Sequence, residues 1–280
     1  VNRMDRIQKA LDKAKAKQGN KVEDEQAQTA VKEKPVLAPD PLQAPIDAIS
    51  YTQTKVVEIS RETLERQRVI AGMYNNPQSA VFRMLRTQIL KKMRDNNWQT
   101  LAITSPTAGE GKSLVASNLA VAMAMELNQT VLLVDMDLRN PSLNNYFSLN
   151  AELGLKDYLE RDLTLQEVLI NPGIKRMVVL PGTGRAEDSA ELLSSPKMAN
   201  LVTDIKSQYD SRMIIFDVPP ILQTDDVLLS ANYFDATLLV LEDGKNKEAE
   251  ISKSIQLLEG HHLIGTVLNK SDKPPMHQNY

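Results

Sequence analysis

Thr100-Leu101-Ala102-Ile103-Thr104-Ser105-Pro106-Thr107-Ala108-Gly109-Glu110-Gly111-Lys112-Ser113 runs from an apolar stretch into a Gly-x-Gly-Lys-Ser turn. The turn opens the helical run Leu114 to Leu127. A strand–loop–helix of this kind presents consecutive backbone N–H groups and a helix N-terminus to a polyphosphate. In such a loop the lysine, here Lys112, reaches the β- and γ-phosphates, and the Ser113 hydroxyl ligates Mg²⁺. The common pattern has a glycine five residues before Gly111, where this chain has Pro106, so the reading rests on the context around the loop.

Two further stretches supply that context. Val131-Leu132-Leu133-Val134-Asp135-Met136-Asp137-Leu138-Arg139 and Met213-Ile214-Ile215-Phe216-Asp217-Val218-Pro219-Pro220 are apolar runs ending in aspartate. Taken singly, Asp135 or Asp217 reads equally well as a helix cap or turn residue. Together with the loop they fit a parallel α/β sheet, whose ligands sit beyond the carboxyl ends of the strands. Strands buried on both faces read as continuous Val/Ile/Leu, as these do. The expected fold is α/β: a doubly wound, mainly parallel sheet of the P-loop NTPase type with helices on both faces.

Composition narrows the class. The chain has 280 residues, 42% apolar and 4% aromatic, with a net charge of −3. The length allows one or two domains, and the charge excludes a strongly basic nucleic-acid footprint. With no cysteine there is no disulfide framework, thiolate zinc site or cysteine nucleophile, which fits a reducing cytoplasm. No apolar run approaches the roughly 18 residues of a membrane span, and the start lacks a hydrophobic signal core. The expected location is cytoplasmic, with any membrane association peripheral or through a partner. His261, His262 and His277 lack metal-like spacing.

Four regions are expected. Residues 1–17 carry a short amphipathic helix with Met4, Ile7, Leu11 and Ala14 on one stripe among basic residues, suited to a membrane surface or a partner. Residues 18–50 are polar and hold Pro35, Pro39, Pro41 and Pro45, the composition of a disordered linker. Residues 51–272 form the P-loop domain and 273–280 a flexible tail. Within the domain, Thr54 to Ile59 reads as an edge strand and Ser60 as the cap of a helix to about Ile70. Helices are expected at 78–94, 112–127, 154–159, 163–170, 188–207 with a break near Pro196, 223–232 and 247–259. Strands are expected at 99–104, 130–135, 177–181, 212–217, 235–242 and 262–269. Strand–helix alternation of this kind implies a parallel sheet.

Phosphoryl transfer depends on positioning and charge neutralisation more than on covalent chemistry. The nucleotide-binding stretch is Thr107, Ala108, Gly109, Glu110, Gly111, Lys112 and Ser113, with the backbone N–H groups of Gly109 to Ser113 around the β-phosphate. Mg²⁺ keeps several waters, so Asp137 and Asp217 are expected to hold it through water and Ser113 directly. Asp135 points to the same side as Asp137 by strand periodicity and is the candidate base. Arg139 is placed to neutralise charge or hold Asp137. Asn269, ending the last strand, reads either as a contact to the exocyclic amine of adenine or as a turn residue.

These motifs, with Phe82-Arg83-Met84-Leu85-Arg86-Thr87 and Ala190-Glu191-Leu192-Leu193-Ser194-Ser195-Pro196, resemble the bacterial tyrosine kinases of exopolysaccharide and capsule synthesis. The resemblance covers residues 53–270. It implies an autokinase dependent on ATP and Mg²⁺, phosphorylated in trans on C-terminal tyrosines within a ring of subunits. It also implies activation by an inner-membrane polysaccharide chain-length regulator. The segment ahead of the domain resembles that of the stand-alone subgroup. In the family's subunit-contact motif a glutamate precedes the first arginine by three residues; here Arg83 and Arg86 are present but that position is Ala80. The tyrosine-rich tail is reduced to Tyr280, the candidate acceptor, and Val218 replaces a common threonine. Two other functions fit the same motifs: an ATP-binding scaffold of polysaccharide export, and a nucleotide-switched positioning ATPase of the partition type. The latter group carries a lysine at the position of Thr107.

Overall fold

The computed structural model describes residues 54–207 and 212–271; the amphipathic helix at 4–17, the linker at 18–50 and Tyr280 lie outside them. The elements in chain order are β1 (Lys55–Val56), α1 (Arg61–Arg66), α2 (Ser79–Asp95), β2 (Thr100–Thr104), α3 (Lys112–Ala124) and β3 (Thr130–Asp135). Then come α4 (Leu143–Tyr146), α5 (Leu155–Glu160), α6 (Leu165–Val168), β4 (Ile170–Asn171) and β5 (Met177–Leu180). The remainder is α7 (Ser189–Leu193), α8 (Pro196–Ser207), β6 (Arg212–Asp217), α9 (Asp226–Leu229), a 3₁₀ turn at Ala231–Tyr233, β7 (Ala236–Glu242), α10 (Glu248–Leu257) and β8 (Leu263–Asn269).

One eight-stranded sheet carries the order β1-β4-β5-β3-β6-β2-β7-β8. Every pairing is parallel except β4 with β5. Alternate strand residues feed two cores, as a period of two requires. Leu101, Ile103, Val131, Leu133, Met213 and Ile215 join the layer under α2 and α3. Ala102, Leu132, Val134, Ile214 and Phe216 join the opposite layer under α5, α7 and α8. The doubly wound reading is therefore what the chain adopts.

Several expected elements are shorter or subdivided. The helix expected at 188–207 breaks at Pro196 into α7 and α8. That at 223–232 reduces to the single turn of α9 and the 3₁₀ turn. The end of the helix expected at 163–170 is instead the two-residue β4, held antiparallel to β5 through Ile170 and Val179. Ser60 caps α1 as expected, its hydroxyl accepting from the Thr63 N–H at 3.1 Å.

The phosphate-loop helix α3 is mostly apolar with no polar face and is buried on nearly every side, the pattern of an enclosed helix. Ala116, Ala120, Ala122 and Ala124 let the sheet and α2 approach it closely. Its one buried amide, Asn118, is saturated. The side-chain oxygen accepts from the N–H groups of Ile70 (2.8 Å) and Ala71 (3.0 Å), and the nitrogen donates to the carbonyls of Arg68 (2.9 Å) and Leu114 (3.0 Å). Asn118 thus ties the segment before α2 to α3. Asn118→Ala would strand two buried N–H groups, each costing about 1–3 kcal/mol. Urea unfolding should show a loss of about 2–4 kcal/mol; a loss below about 0.5 kcal/mol would remove this role from Asn118.

Candidate active site

β2 delivers the chain into the phosphate loop. Gly109 and Gly111 sit at φ of +87° and +91°, left-handed values that a residue with a Cβ adopts only with strain. At Gly111 the space is also taken: an added Cβ would lie 2.2 Å from the Asn269 side-chain nitrogen. The outer face of the loop is fastened by the C-terminal part of the domain. Lys245 Nζ donates to the Ala108 carbonyl at 2.6 Å, Lys270 Nζ to that of Gly109 at 2.7 Å and Asn269 Nδ2 to that of Glu110 at 2.8 Å. Three successive carbonyls are thereby satisfied from outside.

The Glu110 side chain turns inward and is fully buried. Its carboxylate accepts from the Thr107 N–H (2.9 Å), the Thr107 hydroxyl (2.6 Å) and the Asn246 amide. Glu110 and Thr107 therefore shape the loop, with the Thr107 N–H and hydroxyl both spent on the Glu110 carboxylate, which leaves the Glu110 N–H for a ligand. The Thr107 side chain faces its own loop, and a threonine stands where the partition-type ATPases carry a lysine. Gly111→Ala is expected to cost about 1–2 kcal/mol of left-handed strain plus the clash with Asn269. In thermal unfolding, adding Asn269→Ala should recover the steric part and leave the backbone part. Equal stability of Gly111→Ala and wild type would contradict this loop geometry.

Parallel pairing sets Asp135 of β3 directly beside Asp217 of β6. Lys112 Nζ lies 2.9 Å from Asp137 Oδ2, 3.2 Å from Asp217 Oδ1 and 3.2 Å from Ser113 Oγ. Burial works against the ammonium, but Asp217 and Asp137 outweigh it and hold Lys112 above its ordinary range. Asp217 is pushed up chiefly by burial, against the pull of Lys112 and the Ser113 hydroxyl. Asp135 is pushed up to about 7, first by burial and then by Asp217. One Asp135 oxygen, Oδ2, accepts from the N–H groups of Ser142 and Leu143, both at 2.9 Å, and so starts α4. Asp137 Oδ1 accepts from the Asn140 N–H at 3.0 Å.

A cleft of about 420 Å³ opens over this cluster, lined among others by Gly109, Lys112, Ser113, Asp137, Tyr146 and Pro219. Asp135 is not among its lining residues and lies beneath. The donor set suits a nucleotide with Mg²⁺. It consists of a loop of N–H groups, an ammonium, a serine hydroxyl and hard carboxylate oxygens. Asp217 Oδ2 and Asp135 Oδ1 are buried without a hydrogen-bond partner. Among the described residues no three acidic, histidine or cysteine side chains converge into a protein-only metal cage, so an ion here would complete its shell with phosphate and water.

Other sequence candidates take different places. Arg139 does not hold Asp137. It forks onto the buried Asp226, Nε to Oδ2 at 3.1 Å and Nη2 to Oδ1 at 3.4 Å. Asp226 was missed by sequence reasoning, since 87 residues separate the pair. Arg86 pairs with Glu126 at 2.9 Å and donates to the Ala122 carbonyl at 3.2 Å, so its guanidinium is engaged inside the subunit. Arg83 donates to Ser79 Oγ at 2.6 Å and lies 5.7 Å from the Tyr74 ring centroid. Asn269 spends its amide nitrogen on the loop, which leaves its side-chain oxygen as the atom able to accept from a nucleobase amine.

Comparison with known proteins places this geometry. Residues 98–241 match the AAA domain family. Tyrosine-protein kinase YwqD of Bacillus subtilis (strain 168) is 34% identical over 204 residues, covering 72% of this chain and 84% of the relative. The chain belongs to the bacterial tyrosine-protein kinase family. Among solved structures, the chimerical protein CapA2B2 is 30% identical with a TM-score of 0.69, covering 78% of this chain and 94% of that one. The kinase domain of Escherichia coli tyrosine kinase ETK is 27% identical with a TM-score of 0.66, covering 79% and 92%. Membership of this family favours the autokinase reading over the scaffold and the positioning ATPase.

Proposed function

We propose that this chain is an ATP-dependent protein-tyrosine autokinase that regulates exopolysaccharide chain length or export. The observation that carries the proposal is the Lys112 ammonium held between Asp137 and Asp217 beside Ser113, in a chain of the tyrosine-kinase family. Lys112 would neutralise the β- and γ-phosphates, and the loop N–H groups would orient them. Ser113 would ligate Mg²⁺ directly, with Asp137 and Asp217 holding it through water. When bound, Mg²⁺ would supply charge neutralisation at the phosphates. Asp135, lying beneath the cleft, would accept the tyrosine proton at its unpartnered oxygen through one water, which the lift of its pKa toward 7 favours. Asn269 would meet the base of ATP.

The tyrosine acceptor in this proposal is Tyr280, acting in trans. The partner surface in a ring would include Arg83, next to the exposed Val81 and Met84; Arg86 would join it only on leaving Glu126. Among the described residues no helix is long and apolar enough to cross a membrane. In this proposal attachment to the inner membrane comes through a chain-length regulator.

Intact-mass analysis with and without MgATP tests the reading. Wild type should gain phosphate on tyrosine, and Lys112→Ala should gain none while still folding, with a lowered unfolding temperature because Asp137 and Asp217 lose their buried counter-charge. Phosphotyrosine that persists in Tyr280→Phe moves the acceptor elsewhere, and none in wild type favours the scaffold. A second measurement separates the aspartates. Asp135→Asn should lose about a hundredfold or more in turnover, as removal of a positioned base does, without rescue by Mg²⁺. Asp137→Asn and Asp217→Asn should recover in part as Mg²⁺ is raised. Identical Mg²⁺ titrations for all three would refute this division.

A further inference from the structure

Asp226 is a fully buried carboxylate outside the phosphate loop and both strand-end motifs. It accepts from three donors: the two Arg139 nitrogens at 3.1 and 3.4 Å and the Ser189 hydroxyl at 2.8 Å. Its own N–H is held by the Thr224 hydroxyl at 3.1 Å. A buried charge needs such partners, since an unpaired one costs far more than a lost hydrogen bond. The Arg139 side chain is about half exposed, with 45% of its surface open to solvent, so the pair is anchored at the aspartate end.

What the pair joins gives it meaning. Arg139 follows Asp137 by two residues. The intervening Leu138 is buried, and its carbonyl accepts from the Ala186 N–H at 2.9 Å. The segment after Asp217 runs beside the phosphate loop, with Ile221 N–H donating to the Ser105 carbonyl at 2.9 Å and Leu222 N–H to that of Pro106 at 3.1 Å. It then lines the cleft with Gln223 and Thr224 and reaches Asp226. The Arg139–Asp226 fork is thus a cross-tie between the turn that carries Asp137 and the segment that leaves Asp217.

We propose that Asp226 is a positioning residue which, through Arg139, holds the Asp137 turn in register with the Asp217 segment. Arg139 belongs to this tie and does not act on phosphate. The inference rests on the reading of Asp137 as an outer-shell Mg²⁺ residue and adds the group that aims it. Groups that orient a metal's ligands are worth about 10–100-fold in metal affinity; Asp226 acts a step further out, through Arg139 and the turn, so its effect should fall at the low end.

The test titrates Mg²⁺ in the binding of N-methylanthraniloyl-ADP, followed by fluorescence, alongside phosphate release from ATP. Wild type, Asp226→Asn, Arg139→Gln and the double variant are compared. Each single variant should raise the Mg²⁺ midpoint roughly tenfold, and the double variant no further than the larger single one, because one tie is cut in every case. Ser189→Ala, which removes a donor from the same carboxylate but leaves the fork, should lower the unfolding temperature without moving the midpoint. A wild-type midpoint in Asp226→Asn would overturn the proposal, as would a double variant whose shift is the product of the two. A drop in turnover for Arg139→Gln with an unmoved midpoint would also overturn it, by returning Arg139 to direct catalysis. If Asp226→Asn does not fold, Arg139→Gln carries the same test, with Arg139→Lys expected to restore part of the shift; no shift in Arg139→Gln sinks the tie. A wild type that binds nucleotide but makes no phosphotyrosine overturns the kinase reading alone. A wild type that binds no nucleotide overturns both.

Discussion

Two carboxylates buried side by side repel one another and resist ionisation, and this fold places Asp135 and Asp217 as direct neighbours on adjacent parallel strands. The arrangement is tolerable because one ammonium, Lys112, is brought in from the first turn of α3 to within 3.2 Å of Asp217. Nearby opposite charge is what allows a buried acid to remain ionised. The site is therefore electrostatically interdependent: the lysine is confined by the aspartates, and the aspartates are acceptable only beside the lysine. A polyphosphate entering the cleft competes for the same ammonium.

That arrangement needs a rigid frame, and the frame comes from burial on both sheet faces. The central strands feed alternate side chains into two separate cores, so a slip of one residue would exchange the layers. Register is thereby fixed, and with it the alignment of strand ends. The loop is shaped from two sides. Glu110 gathers Thr107 and Asn246 from within, while Lys245, Lys270 and Asn269 occupy carbonyls from without. Pro106 replaces the leading glycine of the common pattern without loss of the loop, because Gly109 and Gly111 carry the left-handed turns.

The sheet class, nearly every long element and the phosphate loop were legible in the sequence, because buried strands and an enclosed helix leave continuous apolar runs. What escaped had no period to read. A four-residue helix such as α4 and a two-residue strand such as β4 are shorter than one repeat of any pattern. The antiparallel β4 was hidden for the same reason. Side-chain partners were less legible still. Arg139 sits two residues from Asp137, so local spacing suggested that they meet, whereas the fold sends it to Asp226. Arg86 resembles an outward contact until Glu126 is brought alongside it from the end of α3. Glu110 lies inside the loop motif, and only the packing shows that its side chain faces away from the ligand. The nearest sequence cue to Asp226 was the polar run Gln223-Thr224-Asp225-Asp226 following the double proline, which also reads as an ordinary helix start.

The strand order has a further consequence. The first and last described strands, β1 and β8, form the two opposite edges of the sheet, roughly 34 Å apart at about 4.8 Å per strand. Chain enters the domain on one flank and leaves it on the other. The flanks are chemically unlike: one is a two-residue strand paired to β4, the other a seven-residue strand ending at Asn269 and Lys270 against the phosphate loop. Contact between unlike flanks of successive copies is head-to-tail, and such contact closes into a ring or runs on as a filament according to the rotation per copy. In that geometry β1 of one copy and β8 of its neighbour would lie beside the same joint.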